Sequence, residues 1–203
     1  MEPELQDAII QYVQEMLGPE GVVSISGIVA NCKMLAVDQE GVDMDALVMA
    51  AYLHDISTGV YGKQEHHRRS AEMAAAFLKE WDVPDERIAC VRDAIMVHSF
   101  AAPAEERDQA PIEGRILYDA DKIGRLGGLA VVNALIELGS KYPDRTFTPE
   151  ALSTILHHIE ERYVELFQSL YTDSAKELCR EKFGRTLAFL DGVLEQLTGS
   201  SEV

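Results

Sequence analysis

Apolar residues recur along the chain at spacings of three and four, the repeat of one face of an α-helix. No stretch alternates β-branched and polar residues as a strand does. The pattern predicts an all-α fold, a single-domain bundle of about eight helices. A first helix follows Pro3 and carries Leu5, Ile9, Val13 and Met16 on one face, with "GPEG" (18–21) as its stop. A second runs over about 24–38 with Ile28, Cys32 and Leu35. "QEGVDMD" separates it from a third, which begins near Asp43, a good N-cap.

That third helix is apolar on nearly every face from Ala46 to Leu53, so it should be the central, fully buried helix. It ends in "AAYLHDIS" (50–57), and "STGVYGKQ" (57–64) follows as a loop. Helices are expected over His66–Trp81 and Asp85–Phe100, joined by "DVPDE", and then from about Gly114 through "YDADKIGRLGG" and "LAVVNALIEL". The polar stretch "AAPAEERDQAP" (101–111) interrupts the series without marking a domain boundary. Thr148, Pro149 and Glu150 begin the first of two final helices. The last carries Phe183, Leu187, Leu190, Leu194 and Leu197, a heptad-like series that favours packing within the chain over the alternative, a homodimer seam.

Composition narrows the classes. With 203 residues, 47% hydrophobic and 26% charged, the chain can bury one sizeable core. A formal net charge of −17 argues against a nucleic acid polymer as partner, because affinity for phosphate backbones comes from Lys and Arg. A small phosphorylated ligand remains compatible, since a metal or a few basic groups can overcome the global field. Cys32, Cys90 and Cys179 form no CxxC pair and read as reduced thiols. No apolar run approaches about 18 residues and the N-terminus is acidic, which predicts a cytoplasmic protein with no membrane partner.

The chemistry begins at His54 and Asp55, two ionisable residues at the end of an apolar run. Such a pair must be compensated by hydrogen bonds, a counter-charge or a metal. Imidazole and carboxylate are the usual ligands of Mn²⁺, Fe²⁺, Zn²⁺ or Ni²⁺, but two of them hold a cation poorly. Further candidates follow in "QEHHRRSAE" (His66, His67), "IMVHSF" (His98) and "YDADKIG" (Asp119, Asp121), where Asp121 lies among apolar neighbours. Asp119 and Asp121, two apart on a helix, point in different directions, so only one should reach the site of His54. Of the adjacent His66 and His67, one should point inward and the other into solvent. Arg68 and Arg69 either guide an anionic substrate or form a plain solvated face. His157 and His158 are assigned to a polar helix face.

In this order and spacing the segments resemble the HD-domain superfamily of metal-dependent phosphohydrolases. The resemblance covers an HD-like core of about 24–129, with a compatible helical extension over about 148–198. It implies an all-α fold in which histidines and aspartates hold a divalent metal (Mn, Fe, Ni, Co, Mg or Zn) that activates water against a phosphate ester. Carried over by position, His54 and Asp55 match the central pair, Asp121 the distal aspartate and Lys122 the basic residue that faces substrate phosphate. His66 and His98 match histidines that bind a second metal in some branches and contact substrate in others. On this reading Asp55, Lys122 and His98 take part in catalysis, and Lys122, His66, His67 and Arg69 bind substrate.

The family's first ligand, a histidine in the preceding helix commonly followed three residues later by arginine, aligns with Ser24, with Gly27 at the arginine position. No histidine precedes His54. The expectation is therefore a phosphohydrolase of a small phosphorylated compound such as a nucleotide. The alternative is a non-catalytic ligand-binding or regulatory member with a degenerate site.

Overall fold

The computed structural model describes residues 1–144, 146 and 148–198 and is all-α, as the periodicity predicts. Among the described residues the helices are α1 (Pro3–Leu35), α2 (Met44–Leu53), α3 (Thr58–Tyr61), α4 (His66–Glu80), α5 (Asp85–Val97), α6 (Ala104–Asp108), α7 (Ile112–Ile123), α8 (Gly128–Lys141), α9 (Pro149–Gln168) and α10 (Asp173–Thr198). A 3-10 turn at Gly124–Leu126 lies between α7 and α8. The chain forms two compact units, Met1–Asp121 and Lys122–Val203.

In the first unit, "GPEG" does not end a helix, as the sequence suggested, but bends one. Gly18 stands at φ 74° and ψ 176°, a conformation only glycine adopts readily, and helix resumes at once behind Pro19. Proline fits there because the first turn of a helix has no use for its missing N–H. The expected first two helices are thus the two arms of α1. The predicted loop after the HD pair also holds a helical turn, α3, and the polar stretch 101–111 holds another, α6.

Asp43 caps α2 as expected, its carboxylate accepting from the backbone N–H of Asp45 and Ala46 at 3.0 Å each. Every residue from Ala46 to Leu53 is buried, so no face of α2 is left for solvent. It packs against α1, α4 and α5, the arrangement a helix apolar all round requires. Burial of side chains such as Leu47 and Leu53, each worth roughly 1.5–3 kcal/mol, makes this helix the anchor on which the HD pair is mounted. The rings of Tyr12 (α1) and Phe77 (α4) stack at 4.6 Å on the flank.

In the second unit, α9 and α10 pack on each other, with Phe167 and Phe183 stacked at 4.4 Å. The Tyr163 hydroxyl donates to the Gly127 carbonyl (3.4 Å) and the Thr186 hydroxyl to the Leu126 carbonyl (3.3 Å), fixing the 3-10 turn. Leu190 and Leu194 of the heptad-like series are buried. His157 and His158 are exposed and face Glu160 and Glu161, on the polar face assigned to them. No single helix among the described residues is long and apolar enough to cross a membrane.

Candidate functional site

His54 closes α2, and its ring is almost wholly buried. Its Nδ1 lies 2.8 Å from the Ala51 carbonyl. A carbonyl only accepts, so Nδ1 carries a proton, and Nε2 is turned toward Asp55. His98 closes α5 in the same way, with Nδ1 2.6 Å from the Ile95 carbonyl. His66, the first residue of α4, repeats the device, with Nδ1 2.9 Å from the Lys63 carbonyl. Each of the three imidazoles is held by a carbonyl three residues upstream, which sets its tautomer and its direction.

The three Nε2 atoms meet around one carboxylate. Asp55 Oδ1 lies 3.3 Å from His66 Nε2 and 3.4 Å from His98 Nε2, and Asp55 Oδ2 lies 3.6 Å from His54 Nε2. His66 Nε2 and His98 Nε2 are 3.2 Å apart. Two neutral rings with protons on Nδ1 would point lone pairs at each other across that gap, which is repulsive unless a proton or a cation lies between them. His54 Nε2 and Asp55 Oδ1 are buried without a hydrogen-bond partner, a state that costs free energy unless another group completes it. Burial opposes ionisation of Asp55. The His98 side chain and the neighbouring charges of His54, His98 and His66 outweigh it and hold the carboxyl well below the usual carboxylate range.

This donor set fits a divalent cation. Ligand atoms of His54, Asp55 and His98 lie within 4.8 Å of one another. Ligands bound tetrahedrally at about 2.0–2.1 Å stand about 3.3 Å apart, close to the separations above.

The backbone around α3 and the start of α4 holds His66 in place. Glu65 stands at φ 48° and ψ 28°, a left-handed conformation that costs a non-glycine residue of order 1 kcal/mol and aims the first residue of α4 at Asp55. The buried hydroxyls of Ser57 and Ser70 form a relay. Ser57 N–H donates to Ser70 Oγ (3.2 Å), Ser70 to Ser57 Oγ (2.9 Å), and Ser57 Oγ to the His66 carbonyl (3.1 Å).

The other expected residues fall as follows. Of the adjacent pair, His67 is buried on α4, and His66, half-buried, turns to Asp55, so neither ring is left wholly to solvent as the adjacency argument expected of one of them. Burial pushes the pKa of His67 down. Arg69 is held locally, donating to the Gln64 carbonyl at 3.2 Å and lying 5.5 Å over the Tyr61 ring. Asp119 and Asp121 are both buried on α7, where they add to the burial that pushes the Cys32 thiol up. The Asn31 side chain ties α1 to α7 by donating to the Ala120 carbonyl at 3.3 Å. Lys122 is buried, unlike an ordinary surface lysine.

Beside the pair opens a cleft of about 480 Å³, lined by His54, Asp55 and Ser24 among others. Ser24, exposed on the second arm of α1, lines the same cleft as the HD pair. Of the other cleft residues, Met16 and Ile28 read in the sequence only as apolar helix faces, and Leu17, Gly59 and Lys63 carried no signal for a site. They come together through the bend at Gly18, which the sequence presents as a helix stop.

Comparison with known proteins agrees with this geometry. A family model for the HD domain matches residues 27–126. An HD-superfamily hydrolase from Bacillus thuringiensis superposes with a TM-score of 0.71 at 20% identity, over 96% of this chain and 97% of that one. YpgQ of Bacillus subtilis, solved in complex with ADP, gives 0.68 at 21% over 94% and 93%. A predicted HD-superfamily hydrolase from an uncultured Thermotogales bacterium gives 0.62 at 19% over 94% and 91%. No curated protein matches the sequence. Taken together, the family match and the histidine–aspartate pair at the end of a buried helix show that residues 27–126 are an HD domain, in a chain that shares the fold of these HD-superfamily hydrolases.

Proposed function

We propose that the chain is a metal-dependent phosphohydrolase acting on a small phosphorylated compound. One observation carries this reading: three imidazole Nε2 atoms, each oriented by a backbone carbonyl, converge on the Asp55 carboxylate, and two of the buried donor atoms lack a hydrogen-bond partner. A protein that needed only a folded core would not leave such atoms incomplete.

His54, Asp55 and His98 would hold the divalent ion, with His66 at its edge and Asp121, by its position in the family pattern, as the distal ligand. The ion supplies a water of lowered pKa and polarises a phosphoryl oxygen. Asp55 keeps its carboxylate ionised and faces the Nε2 atoms of all three imidazoles. His66, whose Nε2 lies 3.2 Å from His98 Nε2, stands beside the same centre, where it would position the substrate or assist proton transfer. Lys122, by its place after Asp121, would neutralise charge on the phosphate. That B. subtilis YpgQ was solved with ADP supports placing phosphorylated compounds in the test panel.

A second reading, a non-catalytic binding or regulatory member, is favoured by Ser24. A hydroxyl lines the cleft where the family pattern places its first histidine. Metal content of protein purified without chelator, with a screen of phosphate esters and nucleotides under added Mn²⁺, Mg²⁺, Ni²⁺ and Co²⁺, separates the two. Metal-dependent turnover supports the enzyme. Bound metal without turnover of any ester supports the binding module, and absence of both refutes the metal centre.

A further inference from the structure

Resting on the phosphohydrolase reading, we infer that the cleft beside the HD pair is a leaving-group subsite that takes an apolar, uncharged group, so that the substrate class is a phosphate monoester of an apolar alcohol or phenol.

The apolar part of the lining carries the argument; Ser24, Thr58 and Lys63 form a polar part beside the HD pair's own side chains. Met16 and Leu17 end the first arm of α1 and Ile28 belongs to the second, and the bend at Gly18 turns both arms toward one space of about 480 Å³. All three side chains are half-buried, their remaining exposure available to whatever enters. The far end is closed by backbone. A Cβ built on Gly59 would lie 2.0 Å from the Met16 carbonyl oxygen, so α3 approaches α1 closer than a side chain allows. Ser24 keeps the entrance beside the pair open, where an imidazole would fill it.

Charge points the same way. Lys63 is the one lysine or arginine lining the cleft among the described residues. The whole chain carries −17. A polyphosphate bringing three or four negative charges would meet that field with little to offset it, whereas a monoester confines its two charges to the metal end. In the reaction a water oxygen bonds to phosphorus and the ester P–O bond breaks. The leaving oxygen takes a proton, giving hydrogen phosphate and the free alcohol or phenol, whose apolar body occupies the cleft.

The test compares benzylphosphonate with methylphosphonate by calorimetry on the full chain in Mn²⁺. Transfer of the ring onto the apolar walls predicts about tenfold or tighter binding for benzylphosphonate. Ile28→Glu should bring the two affinities to within about twofold. Ser24→Trp, at an exposed position that tolerates substitution, should do the same by filling the entrance, with circular dichroism confirming the fold of both variants. Equal affinity of the two phosphonates for the unaltered protein, or tighter binding of ATP than of benzylphosphonate, overturns this inference alone. Absence of any metal-dependent phosphonate binding overturns the phosphohydrolase reading and the inference with it.

Discussion

Replacing Gly59 by alanine probes the contact that closes the cleft. The added Cβ would stand 2.0 Å from the Met16 carbonyl oxygen, 3.1 Å from the Met16 carbonyl carbon and 3.2 Å from a Leu17 methyl. Ordinary carbon–oxygen contact needs a separation greater by more than about 1 Å. The obstacle is backbone on both sides, so no rotamer change relieves it, and α3 must shift from the bend of α1. Overpacking of this kind costs about 1–3 kcal/mol.

Gly27 provides the control. It lies inside α1 with no heavy atom within 4 Å of a built Cβ. Gly27→Ala should therefore stabilise by about 0.5–1 kcal/mol through helix propensity and loss of unfolded-chain freedom. The two glycine-to-alanine changes act in opposite directions and should thus differ by about 1.5–4 kcal/mol. Urea denaturation followed by circular dichroism reads the difference as a shift of midpoint. If Gly59→Ala unfolds at the same urea concentration as Gly27→Ala, the close approach of α3 to α1, and the closed end of the cleft with it, is wrong.

Removing one imidazole from the centre should weaken Mn²⁺ or Zn²⁺ binding more than tenfold in His98→Asn or His54→Asn. His157→Asn, on an exposed face of α9, should bind metal as the unaltered protein does, by calorimetry. Asp43→Ala should cost about 1 kcal/mol at neutral pH through loss of the cap of α2. Burial opposes ionisation of Asp43, but the Ala46 N–H, the Arg87 guanidinium and the Asp45 N–H hold its pKa below the usual value. The native state therefore binds the proton less readily than the unfolded chain. The stabilisation is complete above about pH 3.9 and fades as pH falls further, so the gap between the two proteins should close in acid. Cys32 is buried with its thiol pushed up by burial and by Asp121 and Asp119, and burial with Glu113 pushes Cys90 up to about 12. Both should resist iodoacetamide at pH 8 in the native protein and react within minutes in urea, by mass spectrometry.

Much of this molecule was written locally. The cap at Asp43, the uninterrupted apolar run to Leu53 and the ionisable pair at its end are consecutive residues. Periodicity and capping chemistry act over single turns, so they predict the central helix and its site-bearing end directly. The break between Leu35 and Met44 and the start at Thr148 were legible for the same reason. The residues that could join the pair were legible too, as histidines placed at helix ends and an acid among apolar neighbours.

Tertiary structure alone decided which of them meet. His66 and His98 are 12 and 44 positions from His54, and their distances to Asp55 depend on how α4 and α5 seat against α2, which no local rule supplies. The same holds for His67, whose burial the sequence pattern of α4 left open between it and His66. "GPEG" shows the limit most plainly. Glycine and proline together signal the end of a helix, and whether the chain departs or resumes depends on whether the next turn finds a surface to pack against. Here Ile25, Val29, Cys32 and Leu35 are buried on the second arm, so the helix resumes. The resulting bend at Gly18 makes the cleft, whose shape exists only once both arms and α3 are folded together.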